Sequence, residues 1–112
     1  AVITSKHHDG VALWDTKMNK LSIPQKSPAK RDVLTPFVNE LRKQNLKVGL
    51  YYSLIDWSYP DYPGFLKDSS RYDAKKDTIR WNKFLKFYKF IFENLFDIYN
   101  VFVNIFKFKI CF

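Results

Sequence analysis

The hydrophobic positions in the first half of the chain fall into short runs with different periods. Residues 1–4 form an apolar run typical of a buried strand, and residues 47–53 form another that is rich in β-branched and aromatic side chains. Between them, a helix is predicted to begin near Asp32 or Thr35 and to terminate at Asn45. The apolar face of this helix consists of Phe37, Val38 and Leu41.

A strand, a helix and a second strand in this order predict a βαβ unit whose two strands are parallel. Parallel strands end at the same edge of a sheet, which is where α/β proteins place their ligands. The first strand leads into His7 and His8, and the second ends at residues 51–53, Tyr-Tyr-Ser. We therefore expect these two groups of side chains to lie close together.

The connecting segments carry further aromatic residues. Residues 15–31 form a long polar connection in which Pro24 and Pro28 oppose a regular helix. Trp14, just before it, is either a core residue, the interpretation we favour, or a stacking platform for a sugar. The aromatic, turn-rich loop after the second strand, residues 56–64, fits either a carbohydrate contact or a rigid surface corner.

The second half of the chain changes in composition. From Asp77 a second helix is predicted, with core positions Trp81, Leu85, Tyr88 and Phe92. Beyond Gly64 there is neither glycine nor proline, and from Phe84 onward few residue types occur, mostly ones with A/T-rich codons. We interpret residues 89–112 as an aberrant tail read out of frame. The alternative is an ordinary aromatic helix followed by a strand at 101–108.

Composition narrows the classes of function only slightly. The net charge of +8 permits nucleic-acid binding, but the lysines are dispersed and no nucleic-acid motif accompanies them, so we expect no nucleic-acid partner. The single cysteine, Cys111, excludes a disulfide framework. The apolar tail is interrupted by polar residues too often for a membrane span. The chain begins with Ala inside an apparent strand, which suggests a fragment.

The segment with the most chemistry is Lys6-His7-His8-Asp9-Gly10. Such a polar cluster at a strand end is costly to bury unless hydrogen-bond partners are supplied, and a small polar ligand could supply several. Two solvated loop histidines are the alternative. A metal site is disfavoured because neighbouring strand residues point to opposite faces and no cysteine or third histidine stands nearby.

Several separate motifs resemble the catalytic domain of α-L-fucosidases of glycoside hydrolase family twenty-nine. They are, in order, Thr4-Ser5-Lys6-His7-His8-Asp9-Gly10, Leu13-Trp14, Lys30-Arg31-Asp32, Gly49-Leu50-Tyr51-Tyr52-Ser53 and Asp56-Trp57. The resemblance covers about residues 1–88 and implies an α/β fold, the βαβα portion of a (β/α)₈ TIM-like barrel. The predicted organisation is therefore a partial catalytic barrel at 1–88, followed by the tail at 89–112.

The resemblance also implies a function. The family hydrolyses terminal α-L-fucosyl linkages of glycoconjugates with retention and needs no metal or organic cofactor. Its motifs make His7, His8, Tyr51 and Trp57 candidate substrate-binding residues, with a fucosylated glycan as partner. Family members are commonly secreted, periplasmic or lysosomal, and we expect the same here. The resemblance gives no oligomeric state.

The catalytic carboxylates of the family have no counterpart in this sequence. The nucleophilic aspartate is expected near residues 106–109, Phe-Lys-Phe-Lys, and the acid/base residue beyond Phe112. Asp97 lies too early, within the second helix, and Asp9, Asp15, Asp32 and Asp56 are interpreted as turn or cap residues. Two hypotheses stay open: a fragment of an active α-L-fucosidase, or an inactive remnant that at most binds sugar weakly.

Overall fold

The computed structural model describes residues 1–65, 69–99 and 102–104 of the chain. The described elements are, in order, β1 (Val2–Lys6), α1 (Ile23–Lys26), α2 (Leu34–Lys43), β2 (Gly49–Tyr52), β3 (Gly64–Phe65), β4 (Ser69–Ser70), α3 (Thr78–Tyr99) and β5 (Phe102–Asn104). Cys111 and residues 105–112 lie outside the described part.

Three of the strands form a parallel sheet in the order β1-β2-β5. The predicted βαβ unit is confirmed, since β1 pairs parallel with β2 and α2 connects them. The register shifts at the end of β1: Thr4 pairs with Tyr51, but Lys6 pairs with Tyr52. This irregularity inserts Ser5 as an extra residue, and both Ser5 and Lys6 are buried instead of alternating. The strand end therefore points a lysine inward.

The core lies between the sheet and the helices α2 and α3. Its fully buried members include Leu50 and Tyr52 of β2, Leu34 and Val38 of α2, and Trp14 of the first loop. The interpretation of Trp14 as a core residue is confirmed, because its indole is completely buried and Nε1–H donates to Asn94 Oδ1 at 3.2 Å.

The core face predicted for the second helix was only partly correct, since Tyr88 and Phe92 pack against the core whereas Leu85 is exposed. The side chains of α3 that are buried are Phe84, Ile91, Leu95 and Tyr99. Leu85 is 37% exposed, and Trp81, Tyr88 and Phe92 are only partly buried. The reason is that aromatic and aliphatic residues surround this helix on several sides, so spacing alone does not select the buried face.

Aspartate side chains cap the starts of α2 and α3, and a residue with left-handed backbone conformation ends α2. Asp32 Oδ1 accepts from the backbone N–H groups of Leu34 and Thr35 at 2.7 and 3.0 Å, so the helix begins after Asp32 and Thr35 lies inside it. Asp77 Oδ1 accepts from Arg80 N–H at 3.1 Å at the start of α3. The predicted left-handed terminator is confirmed by the φ of 55° at Asn45.

Two segments differ from the expected loops and tail. The polar connection contains one helical turn, α1, which Pro24 permits because it occupies the first turn, where its missing N–H needs no partner. Helix α3 continues without interruption from Thr78 to Tyr99, and β5 follows it. This matches the order of the helix-and-strand alternative, while an out-of-frame origin of residues 89–112 stays a prediction. No helix in the described part is long and apolar enough to cross a membrane.

The buried face of α3 can be tested with two leucines on the same helix. We expect Leu95→Ala to lower the free energy of unfolding by about 2–5 kcal/mol, because Leu95 is fully buried. The partly exposed Leu85 is the matched control, and Leu85→Ala should cost clearly less. Urea denaturation at constant m-value measures both. Equal losses in the two variants would contradict the buried face seen in the structure and favour the one predicted from the sequence.

Candidate active site

The histidine pair sits in a tight turn directly after β1. His7 C=O accepts from Gly10 N–H at 3.1 Å, and Asp9 Oδ1 accepts from Val11 N–H at 2.8 Å. Gly10 has a φ of +84°, and a Cβ at this position would lie 2.5 Å from Asp56 Oδ1. Glycine is therefore required both by the backbone conformation and by the close approach of the second loop. The interpretation of Asp9 as a brace of this turn is confirmed.

The structure brings the four candidate substrate-binding residues together at the carboxyl edge of the sheet. The ring centroids of His7 and His8 are 4.1 Å apart, and Tyr51 lies 5.7 Å from His7. The Trp57 ring meets the His8 ring edge-on at 5.3 Å, and the backbone N–H of Trp57 donates to His8 C=O at 2.8 Å. We call His7, His8, Tyr51 and Trp57 the aromatic cluster.

Behind this cluster lies a buried ion pair that the sequence reasoning missed. Lys6 Nζ is 3.1 Å from Asp56 Oδ2, and both side chains are only 1% exposed. The ammonium also donates to the C=O groups of Ser53 and Ile55 at 3.1 and 3.2 Å. Burial lowers the pKa of Lys6, while the attraction of Asp56 opposes this shift. The ammonium thus donates two hydrogen bonds to carbonyls, while Asp56 Oδ2 meets it as an ion pair and has no hydrogen-bond partner among the described residues.

Asp56 also begins the loop that carries Trp57. Its Oδ1 accepts from the N–H groups of Ser58 and Tyr59, both at 3.1 Å, and from Ser58 Oγ–H at 2.6 Å. The interpretation of Asp56 as a turn residue is confirmed, and its second oxygen serves the ion pair. One carboxylate therefore joins the end of β1 to the start of this loop.

Arg71 holds the same loop from its other side. Its guanidinium donates to the backbone C=O of Trp57 at 2.6 Å. It also donates to the C=O groups of Tyr59, Tyr62 and Gly64 at 3.1 to 3.3 Å. Carbonyls converging on one cation fix the loop's path. Arg71 had no sequence signal of this role, because its partners are backbone atoms brought together by the fold.

The electrostatic surroundings of His8 favour a neutral ring. Burial lowers the pKa of His8, and the neighbouring His7 and Lys6 lower it further, while Asp9 acts in the opposite direction. His8 Nδ1 lies 2.6 Å from Ser53 Oγ, a further contact that the sequence reasoning did not foresee. Within the described residues, no group of three or more potential metal ligands occurs.

An open cleft of about 260 Å³ adjoins the histidine turn and is lined by His7 and Asp9 among others. Three larger cavities, of about 300, 390 and 420 Å³, are lined by no member of the aromatic cluster. Cavity size alone would therefore have indicated a different site, and the chemistry of the side chains is the better guide.

The ion pair can be tested by removing one partner. Lys6→Met should lower the free energy of unfolding by about 3–5 kcal/mol, since it leaves the Asp56 carboxylate buried and unpaired. Lys43→Met is the matched control, because Lys43 pairs with Glu40 on the exposed surface of α2. Its denaturation midpoint should hardly change. Similar losses in the two variants would contradict the role given to the buried pair.

The titration of His8 can be measured directly by nuclear magnetic resonance. We expect its pKa to lie below the ordinary value of 6.5. The folded chain then binds fewer protons than the unfolded chain, so folding stability should fall as the pH is lowered through 6.5 toward the folded pKa. His8→Gln should remove this part of the pH dependence. A pKa of His8 at or above 6.5 would contradict the described environment.

Comparisons with known proteins agree with this arrangement. The profile of the family described as "Alpha-L-fucosidase" matches residues 1–106. Human tissue alpha-L-fucosidase is 34% identical over 61 residues, or 54% of this chain and 13% of that protein. Human plasma alpha-L-fucosidase is 37% identical over 70 residues, or 62% and 14%.

Solved structures are similar as well. A trapped covalent intermediate of the family twenty-nine alpha-L-fucosidase from Bacteroides thetaiotaomicron superposes with a TM-score of 0.78 at 34% identity, covering 93% of this chain and 22% of that one. The product complex of the Lactobacillus casei enzyme gives 0.53 at 37% identity, covering 55% and 19%. The chain thus spans only a small part of each relative's length. It belongs to the α-L-fucosidase family.

Proposed function

We propose that this chain supplies part of the fucose-binding pocket of an α-L-fucosidase, a retaining glycosidase that removes terminal α-L-fucose from glycoconjugates. The observation that carries the proposal is the meeting of His7, His8, Tyr51 and Trp57 at one sheet edge. The parallel sheet would then be part of a (β/α)₈ barrel, in which ligands bind at the carboxyl ends of the strands.

The chemistry of the aromatic cluster suits a deoxy sugar. Imidazoles and a phenol can each exchange hydrogen bonds with sugar hydroxyls, and an indole offers an apolar surface to the C–H groups of the ring. Two similar proteins support this choice of ligand: the B. thetaiotaomicron structure is described with 2-fluoro-fucosyl fluoride and the L. casei structure with alpha-L-fucose.

Catalysis needs two carboxyl groups beside the sugar. Among the described residues, the carboxylates near the aromatic cluster already have structural partners. A retaining glycosidase uses a nucleophile and an acid/base about 5 Å apart. Asp56 is engaged by Lys6 and by its own loop, and Asp9 braces the histidine turn. Asp97 belongs to α3. The expected nucleophile position, residues 106–109, lies outside the described residues and contains no aspartate in the sequence.

This absence favours a second candidate function, an inactive family member that binds sugar. The two candidates make the same prediction for binding and opposite predictions for hydrolysis. We propose that this chain by itself binds α-L-fucose and does not cleave a fucoside, and that cleavage by the family's mechanism requires carboxylates from additional sequence.

Binding can be tested with the whole chain and two mirror-image sugars. L-Fucose should cause saturable shifts in the resonances of the aromatic cluster, whereas D-fucose, with identical composition, should not. His8→Gln should weaken L-fucose binding at least tenfold, because the imidazole that hydrogen-bonds to the sugar is lost. Lys43→Gln is the control, because Lys43 lies on the exposed surface of α2, and this variant should bind L-fucose normally.

Different results would contradict the proposed binding site and the proposed lack of cleavage. Equal shifts with both enantiomers, or full affinity in His8→Gln, would exclude the proposed site. Release of the fluorophore from 4-methylumbelliferyl α-L-fucoside by the purified chain would overturn the assignment of binding without cleavage.

A further inference from the structure

Two successive polar contacts lead from the ring of His8 into the protein interior. His8 Nδ1 lies 2.6 Å from Ser53 Oγ, and Ser53 Oγ lies 3.2 Å from Ile55 C=O. Ser53 is only 3% exposed, so solvent does not supply alternative partners for its hydroxyl group. We propose that Ser53 is a positioning residue that fixes His8 as the tautomer with its hydrogen on Nδ1, leaving Nε2 as a hydrogen-bond acceptor.

The donor and acceptor in each of these two contacts follow from the number of hydrogens available. A serine hydroxyl has one hydrogen and can also accept, and a neutral imidazole has one N–H and one bare nitrogen. If Ser53 donated to His8 Nδ1, its bond to Ile55 C=O would be lost. If His8 Nδ1–H donates to Ser53 Oγ, then Ser53 donates to Ile55 and both contacts are hydrogen bonds. The second arrangement makes one more bond in a buried place, which is favourable.

Among the described residues, no donor other than His8 contacts the Ser53 hydroxyl oxygen. The nearby Lys6 ammonium directs hydrogens to the C=O of Ser53 and the C=O of Ile55, and its nitrogen lies 3.1 Å from Asp56 Oδ2 as an ion pair. None of these hydrogens goes to Ser53 Oγ. His8 Nδ1–H is therefore the donor that completes the hydroxyl group's partners within the described residues.

The ring of His8 is also held in place from the outside. His7 lies against it at 4.1 Å and Trp57 at 5.3 Å, so the imidazole cannot easily turn to exchange its two nitrogens. Nε2 has no hydrogen-bond partner among the described residues. The charged and titratable groups that act on His8 are His7, Lys6 and Asp9, and their balance with burial favours the neutral ring.

The consequence is a requirement on the ligand, and this step rests on the proposed function. A bare Nε2 accepts a hydrogen bond, so the sugar must present an O–H donor to His8. A fluorine in place of a hydroxyl is an electronegative atom of similar size, but it has no hydrogen to donate. Of the monodeoxyfluoro L-fucoses, the one modified at the contacted position should bind at least tenfold more weakly than L-fucose.

The tautomer itself can be measured without any sugar. In the uniformly ¹⁵N-labelled chain at neutral pH, we expect the His8 resonances to show a protonated Nδ1 and a bare Nε2, assigned by their loss in His8→Gln. Ser53→Ala should shift the ring toward Nε2–H, and Ser53→Thr, which keeps the hydroxyl, should restore the original pattern. Ser5→Ala is the matched control: it removes a buried serine hydroxyl that donates to Tyr51 C=O without touching His8.

A hydrogen on Nε2 in the unsubstituted chain would overturn the inference, and so would an unchanged tautomer in Ser53→Ala. These spectra do not depend on ligand binding. A correct tautomer without L-fucose binding would therefore refute the proposed function and leave the role of Ser53 intact, while binding with the opposite tautomer would do the reverse.

Discussion

The buried ion pair between Lys6 and Asp56 is the constraint on which the site depends. It joins the end of β1 to the loop after β2, and the same ammonium binds two backbone carbonyls at the end of β2. Burying two charges is costly unless every hydrogen and lone pair is well placed. The bulge at Ser5 turns Lys6 inward and makes this placement possible. The arrangement is thus specific to one register of the two strands.

From this pair the geometry of the aromatic cluster follows. Asp56 fixes the first turn of its loop, and Arg71 fixes the remainder through the carbonyls, so the Trp57 ring is held against His8. Gly10 allows the two loops to approach so closely that a side chain at this position would collide with Asp56 and Ser58. The position of the proposed ligand-binding side chains therefore relies on backbone contacts that lie beneath them.

Much of this arrangement could be predicted from the sequence, for identifiable reasons. The parallel pairing of β1 and β2 followed from short apolar runs separated by a helix, and this pairing alone placed His7, His8 and Tyr51 at one edge. The helix terminator Asn45 followed from local chemistry. Each of these features has a signal in a short stretch of sequence, although the paired strands lie far apart in the chain.

The features that sequence reasoning missed depend on tertiary contacts. The ion pair joins residues that are far apart in the chain, and the bulge that buries Lys6 has no sequence signature. The fully buried residues of α3 were missed because apolar side chains surround the helix, and packing against the sheet selects among them. The partners of Arg71 are backbone carbonyls, which the sequence cannot distinguish from any others.

The central claim is that the buried ion pair holds the aromatic cluster in the form that binds fucose. Its most direct test is the affinity of Lys6→Met for L-fucose, measured under conditions in which the variant remains folded, together with the nuclear Overhauser contacts between His8 and Trp57. The account predicts that both the contacts and the binding are lost, although Lys6 is almost fully buried. A folded Lys6→Met chain that keeps these contacts and binds L-fucose normally would contradict it.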